Sequence, residues 1–592
     1  MAVSLQKRIV LVSILVTFLG SLSGCSGEPP GATLSGGSST VTYHPDRDPL
    51  VNPPEIFEPF PFDDPERADE DRVLVRHLIG EPRNLNPIFA YSWFDFYFGE
   101  LIFSYIFRRN SDLEYEPSAD RIASYELSDD QLVWTVHLTP GMTWHDGTPY
   151  TAHDIRFTWE AIRDPQVPAS FYKHTSAQLE DVKVIDDLTV QYIHKEVTVT
   201  AKVNMAFPII PKHIYGNPEA RAEDPTMSRS DYYNHYNHNE LIGAGPYTFT
   251  EWKRSDRLTV DRWEDYPFQK PHFKRQILKV QPDRNVALLL FKKGGMSEIW
   301  LTPQQFATQT NDEDFAHVAV KGTGLRRMFA YVGWNMDGSN PFFADARVRK
   351  AMAHAYDVER IIERAVYNLY SPSNGIFDPQ HWCYNPDVKR IEFDLDKAAE
   401  LLDEAGWLVS DRDGYRYKEI NGQQVQFVFE LLMAQSFADA LKMADIFRDD
   451  LKRIGISFDT RVIENASFDS RTNKHEYQAI ASVYEVSSDP DQWRNHWYST
   501  EHATGRNFGK YNNPRVDALL DLTRSTLVRE ERAEYFREIQ LLVYEDHPMI
   551  FMWNYALLRG FDKNLRGINY SPAGIFLYRP GQAAWWYPKD RS

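Results

Sequence analysis

A chain of 592 residues is too long for one ordinary hydrophobic core, so two or three lobes are expected. Its apolar content of 42% and aromatic content of 14% are ample for packed interiors and argue against disorder. A formal net charge of −19 argues against a nucleic-acid partner, which needs a basic face, and two cysteines, Cys25 and Cys383, supply neither a disulfide framework nor a cysteine-rich metal site.

The N-terminus reads as a targeting signal. Lys7 and Arg8 precede an apolar run from Ile9 to Leu22, shorter than the roughly 20 residues that span a bilayer. The run ends at Leu22-Ser23-Gly24-Cys25, which resembles the bacterial lipobox. That resemblance implies cleavage before Cys25 and a lipid on its sulfur, tying an extracytoplasmic protein to a membrane. An uncleaved anchor helix and a plain secretory signal are the alternatives. Residues 26–72 are polar, acid-leaning and punctuated by proline, and they are expected to form a flexible tether, with packing of parts of it on the body left open by the sequence.

Arg72 to Leu78 alternates as a strand, and Glu81 to Pro87 follows as a loop. Ser92 to Phe107 is aromatic and mostly helical in pattern. In Gln131 to Ile162, Leu132, Trp134, Val136 and Leu138 alternate, two tight turns follow at Pro140-Gly141 and Asp146-Gly147, and Thr151 and Asp154 open a helix carrying Ile155, Trp159 and Ile162. Val182 to His194 reads as a hairpin. Ile242-Gly-Ala-Gly-Pro-Tyr247 opens another alternating segment. It lacks the third glycine and the following helix of a dinucleotide fingerprint, so it has no phosphate-binding role. Phe329 to Trp334 is a strand. Asp345 to Asp357 and Asp394 to Trp407 are amphipathic helices, with stripes at Val348, Met352 and Ala355 and at Leu395, Ala398, Ala399, Leu402 and Ala405. Val425 to Val462 is a βαβ unit, with a helical stripe of Phe437, Leu441, Ala444, Phe447, Leu451 and Ile454, and Gly455 as its stop. It argues for an α/β lobe with a parallel pair.

Several of these stretches share a resemblance. Gly141-Met-Thr-Trp-His-Asp-Gly-Thr-Pro-Tyr-Thr-Ala-His-Asp154 resembles the signature of the family 5 solute-binding proteins of ABC importers, which include oligopeptide-, dipeptide- and nickel-binding proteins. Pro82 to Pro87, Ile242 to Tyr247, Asn340 to Tyr356 and Asp394 to Trp407 extend the likeness along the chain. The resemblance implies an α/β, periplasmic-binding-protein-like fold of the cluster C type, with two large lobes around a hinge and a smaller third domain. Lobe I would comprise 73–107, 180–332 and 552–592, the small domain 108–179, and lobe III 333–551, with the hinge near 332 and 552. It implies a monomer that binds a peptide-like solute and works with permease and ATPase subunits.

The enzyme reading fails motif by motif. His475-Glu476 begins a zincin-like pattern, but Ala479 stands where the second histidine belongs, and neither a G-x-S-x-G elbow nor a Walker A loop occurs. No local pattern marks Cys383 as a nucleophile. His235, His238 and Glu240 have the residue types for zinc but read as a polar loop, since no helix fixes their spacing. No cofactor and no metal are expected. In the family's peptide-binding members the strand end corresponding to Ala481–Trp493 lines the ligand cleft, and an aspartate four residues before the proline pairs with the ligand's amine. Here that position is Val486, and Glu485, one residue earlier, is the substitute anchor if the loop is shifted. The candidate ligand-binding residues are Tyr484, Glu485, Val486, Ser487, Asp489, Trp493 and Arg506, and Asp489 can also cap a helical turn with Pro490 at its first position. Arg506 has the chemistry for a ligand carboxylate, with surface pairing as the alternative, and Trp493 and Trp497 share a helical face. The absent aspartate leaves room for a non-peptide solute, such as an oligosaccharide, a metal chelate or a plant-derived compound, or for a receptor that does not transport.

Overall fold

The computed structural model describes residues 43–592 apart from Tyr91, 217–240, Ser488, 504–505, Ala573, Leu577, 579–580 and 590–592, and apart from the side chains of Ala438 and Asp439. Cys25, His235, His238 and Glu240 therefore lie outside the described residues. No helix among the described residues is long and apolar enough to cross a membrane.

Alternating apolar residues build one large mixed sheet. Its strands run in the order Tyr247–Lys253, Arg257–Arg262, Arg275–Val280, Leu74–Leu78, Glu298–Trp300, Met549–Asp562, Ala319–Trp334, Ala479–Glu485, Val428–Ala434 and Ser457–Ile463. Leu74–Leu78 is parallel to Arg275–Val280 and to Glu298–Trp300, and Val428–Ala434 is parallel to both its neighbours. The other pairs in this order are antiparallel. The βαβ unit stands as expected, with the helix Leu441–Arg453 between parallel strands. Two details differ. Val425 belongs to a separate strand, Gln423–Gln426, which pairs with Arg416–Ile420. Leu441 is exposed, because residues 435–440 form a 3-10 turn and the helix buries Met443, Ala444, Phe447 and Leu451 instead. Gly455 takes a φ of 80°, which turns the chain back to strand at no side-chain cost.

A second sheet orders Ile122–Leu127, Val133–Leu138, Thr189–His194 and Leu179–Asp186, all antiparallel. The expected hairpin is present, but it joins this sheet and does not return to the large one. A domain boundary at residue 179 would cut it from its partner strand Val133–Leu138. The helix Ala152–Arg163 follows the two turns. Asp154 organises its start: its carboxylate accepts from Thr151 N–H at 2.9 Å, Lys212 N–H at 2.9 Å and the Trp144 indole at 3.3 Å. His145 reaches the Ile242–Tyr247 stretch, taking Gly243 N–H on Nδ1 at 3.1 Å and giving Nε2–H to the Gly245 carbonyl at 3.0 Å. A Cβ at Gly243 would stand 1.9 Å from the Ile102 carbonyl oxygen, so this glycine exists for close backbone approach. The signature residues are scaffold.

The expected tether, whose packing on the body the sequence leaves open, is docked from Tyr43 onward. Its prolines start short 3-10 turns, Pro45–Arg47, Pro54–Phe57 and Pro65–Arg67, where their fixed φ favours the first turn position. Asn52 N–H donates to the Lys321 carbonyl at 2.9 Å, and Lys321 N–H to the Leu50 carbonyl at 2.7 Å, so the segment lies along the strand Ala319–Trp334. Ile56 is fully buried, Phe60 stacks on His272 at 3.4 Å, and the Trp586 indole donates to the Glu58 carbonyl at 3.1 Å. The polar anchor is Lys321, whose fully buried ammonium donates to Asp48, to Tyr43 Oη at 3.3 Å, to the Phe306 carbonyl at 3.1 Å and to Asn311 at 2.6 Å.

Burial alone would raise the Asp48 carboxyl, but hydrogen bonds from Lys321, Tyr43 and Leu50 N–H outweigh it and hold it below the ordinary value. Its contribution to stability is therefore present above an ordinary carboxyl pKa of about 4 and is lost as pH falls through the lower folded value. Asp48→Ala leaves the ammonium buried with neutral partners. It is expected to cost about 3 kcal/mol in urea unfolding at pH 7 and far less near pH 2. An unchanged urea midpoint at pH 7 would contradict this account of the dock.

Candidate functional site

The strand Ala479–Glu485 pairs with Ala319–Trp334, setting Tyr484 opposite Phe329 and Glu485 opposite Met328. Period two sends their side chains to opposite faces. Tyr484 is buried and stacked on Phe329, with ring centroids 5.2 Å apart. Trp493 at 4.7 Å, His496 at 4.4 Å and Trp497 at 6.2 Å surround it. The paired tryptophans thus form an aromatic wall and pack the core at the same time.

The other predicted residues divide by role. Glu485 is exposed, and its charge favours the cationic form of Arg109, after Tyr115 and ahead of Glu100. Val486 is buried with Ile376, Phe377 and Phe536, and its N–H donates to the Arg327 carbonyl at 2.8 Å. In the ungapped match to the family, the amine-anchor position thus carries a buried isopropyl side chain. Ser487 accepts on its carbonyl from His381 Nε2–H at 3.1 Å. Asp489 caps the turn Pro490–Trp493 as expected, accepting from Asp491 N–H at 2.9 Å, and both its oxygens hold Arg532, at 2.6 and 2.8 Å. The Ser487 carbonyl and the Asp489 carboxylate thus fix the loop, and both carboxylate oxygens of Asp489 are already engaged by Arg532.

Tyr484, His496, Trp497 and Arg506 line one cavity of about 40 Å³, together with Tyr331, Tyr477 and Tyr511. That is room for a small polar group or a few waters. A smaller space of about 10 Å³ lies beside it, lined by Tyr484, Val486, Trp493 and Trp497. Tyr477 donates its hydroxyl to the Phe508 carbonyl at 2.5 Å and Tyr511 to Asp546 at 2.6 Å. The Tyr484 hydroxyl and the Trp497 indole N–H are buried with no partner among the described residues. Each such group costs about 1–3 kcal/mol if left unmet. Burial drives the Tyr484 hydroxyl well above its usual pKa, and burial followed by the Arg506 charge holds His496 well below its own, so both are neutral at pH 7.

Residues 108–196 meet this region from the other side. Glu114 pairs with Arg529 at 2.7 Å, Glu196 with Arg524 at 3.4 Å, and Arg327 Nη1 donates to the Asp112 carbonyl at 3.4 Å. Sequence reasoning missed His496 and Tyr331. The spacing of His496, three residues after Trp493, was a signal for the first; Tyr331 needed the strand register. No group of three His, Cys, Asp or Glu among the described residues could hold a metal ion. Burial pushes the Cys383 thiol well above its usual pKa, which makes it a poor nucleophile.

Asp491, buried beside this wall, has its pKa raised to about 6, by burial first and by Asp489 next, against the opposing pull of Arg532. The folded state thus holds a proton that the unfolded chain releases above about pH 4. Stability is expected to fall as pH rises from about 4 to 6, by up to about 3 kcal/mol from this group. Asp491→Asn should flatten that part of the urea-midpoint profile. A slope unchanged by the substitution would assign it elsewhere.

The model for bacterial extracellular solute-binding proteins, family 5, middle region, matches residues 116–505. The chain is 26% identical over 515 residues to the oligopeptide-binding protein AppA of Bacillus subtilis, covering 84% of this chain and 89% of that protein. The structure of AppA in complex with a nonapeptide matches with a TM-score of 0.74, covering 88% of this chain and 100% of that chain at 26% identity. Heme-binding protein A of Haemophilus influenzae is 24% identical over 472 residues, 76% of this chain and 81% of that protein. The large mixed α/β sheet is accordingly of the periplasmic-binding-protein type. With more than half of its length matched, the chain belongs to the family 5 extracellular solute-binding proteins of bacteria.

Proposed function

We propose that this solute-binding protein captures a peptide-like solute between two lobes and delivers it to the permease of an ABC importer, held at the membrane by a lipid on Cys25. The observation that carries the reading is the cavity at Tyr484 and Arg506, with residues 108–196 facing it through the Glu114–Arg529 and Glu196–Arg524 pairs. In this reading lobe I comprises residues 73–107, about 195–332 and 552–592, the small lobe 108–194, and lobe III 333–551. Moving the hairpin 179–194 to the small lobe keeps its sheet whole. A ligand that touches both sides binds the closed form better and shifts the population by its differential affinity.

A second reading, a non-peptide solute in the same cleft, draws on Val486. A buried valine where an acid would hold an ammonium removes one reason to prefer a free amino terminus. The resemblance to a heme-binding protein is a further reason to keep it.

Native mass spectrometry of the purified protein is expected to find a co-purified solute, and its mass decides between the two readings. Hydrogen exchange with that solute should slow at residues 479–497 and at 108–115 together. Protection confined to one of these segments would refute closure. Cys25→Ala should lose lipid labelling and leave the membrane fraction; a variant that stays bound after a salt wash would refute the lipid anchor.

A further inference from the structure

The cavity wall at Tyr484 presents a cation and neutral donors, and no carboxylate is among its lining residues. Arg506 is exposed at the rim of the cavity, and its backbone N–H is held by the Asn495 carbonyl at 2.9 Å. It lines the cavity, and among the described residues its hydrogen bonds are those of its backbone, with no ion pair to its guanidinium. This contrasts with the arginines around it: Arg494 pairs with Asp521, Arg524 with Glu196, Arg529 with Glu114 and Arg532 with Asp489. Asp469 feels the charges of Arg83 and, less strongly, Arg506, and it is not in ion-pair contact with Arg506.

The cavity wall adds neutral donors to this cation. Three of the lining tyrosines have hydrogen-bond partners: Tyr477 and Tyr511 donate as described above, and Tyr331 bonds to Ser482. Tyr484 alone among the four, 94% buried by its 6% exposure, has a hydroxyl with no partner, and the Trp497 indole N–H beside it is equally unmet. The His496 ring presents Nδ1 without a partner to the same cluster. A guanidinium and two buried unpaired donors around about 40 Å³ suit a planar anion, since each donor is met only by an acceptor that brings its own charge or lone pairs.

We infer that Arg506, Tyr484 and Trp497 form an anion subsite that takes a carboxylate of the solute, at the strand end where the family's peptide binders take an ammonium. The inference rests on the reading of this cleft as the ligand site, and it adds that the solute is acidic at this end. On a peptide the carboxylate is either the C-terminus or an acidic side chain. Glu485 points to the other face and does not compete.

The test has two arms. In the first, acetate and succinate are titrated against chloride at fixed ionic strength, with thermal shift and tryptophan fluorescence as readouts. Both carboxylates are expected to raise the melting temperature of the wild type and to perturb the Trp493 and Trp497 emission. Arg506→Ala should abolish both effects, and Tyr484→Phe, which keeps the ring stack, should weaken them. Equal responses in wild type and Arg506→Ala would overturn the subsite. In the second arm, alanine-rich peptides of three to nine residues are compared by calorimetry as free acids, as C-terminal amides, and as amides carrying one glutamate or one glutamine. The wild type should prefer the carboxylate member of a pair by at least about tenfold, as loss of a charged hydrogen bond implies. Arg506→Ala should bring that ratio near one. Preference for the free acid points to the C-terminus, and preference for the glutamate peptide to a side chain. Peptide binding without any such preference overturns the inference. If no peptide binds while acetate and succinate still discriminate Arg506→Ala, the subsite stands and the peptide reading falls.

Discussion

The large sheet depends on one backbone ladder, the antiparallel pair Ala319–Trp334 and Met549–Asp562. The strands of residues 74–78 and 247–300 lie on one side of it and those of 428–485 on the other. Pairing holds from Ala319 opposite Asp562 to Leu325 opposite Ala556, then slips: Arg326, Arg327 and Met328 stand against Tyr555 before Phe329 meets Asn554. Extra residues on one strand bend and twist it locally. Below the slip the ladder backs onto Phe291, Ile299 and Phe306, and above it onto Trp334, Phe429 and Trp553, so the irregularity separates two cores. Arg327 emerges at the slip, giving its carbonyl to Val486 N–H and its guanidinium to the Asp112 carbonyl. The same few residues thus divide the cores, aim the Tyr484 strand end and reach the facing segment. The proposed hinge near residues 332 and 552 lies within a few residues of this slip.

Buried charge fixes the register on the other half of the sheet. Glu298 has no exposed surface and lies between Arg76 and Arg559, each 3.1 Å away, on three adjacent strands. Burial lowers Arg76 to about 10 and Arg559 to about 9, against the pull of Glu298, so both stay charged at neutral pH. Their faces rest on Phe576 at 3.7 Å and Trp300 at 3.3 Å. Desolvation cancels much of what such a triad gains, so it is weak evidence for stability. Its geometric consequence is firmer. A one-residue slip of any of the three strands would turn a charge to the opposite face and leave a buried ion unpaired. Lys321 imposes the same requirement on the docked segment from Tyr43 to Asn52.

Much of this was legible because local periodicity and tertiary packing agree. The βαβ unit, the helices after Thr151, Asp345 and Asp394, and the turn capped by Asp489 follow from alternation, stripes and capping residues whose partners lie within a few positions. What was missed depends on partners far along the chain. Residues 43–72 carry too few apolar side chains to advertise a dock, since the interaction that holds them is a lysine 273 residues away from Asp48. The hairpin 179–194 looked the same from sequence whichever sheet it joined. Leu441 sits on the helical stripe of Phe437 and Ala444 only if one helix spans all three, and a 3-10 turn breaks that phase. At the site, Tyr484, Trp493 and Arg506 could be nominated, but the burial of Val486 and the engagement of Asp489 by Arg532 could not, because both depend on the helix Arg529–Asp546.

The contacts that join residues 108–196 to the region around Tyr484 are of a kind that a moving lobe can break. Arg529 and Glu114 are each about half exposed, and Arg524 and Glu196 are partly so. Pairs at such positions are worth about 0–1 kcal/mol and are screened by salt. Among the described residues, these two pairs and one 3.4 Å hydrogen bond from Arg327 are contacts of that breakable kind, unlike the buried packing inside each core. If the region closes on a solute as proposed, the solute's own contacts would add to these weak pairs. In the proposed reading, acceptors on a solute would meet the Tyr484 hydroxyl and the Trp497 indole N–H, which have no partner among the described residues. Under the proposed closure, weak exposed pairs and unmet donors would leave solute occupancy to set the open–closed balance.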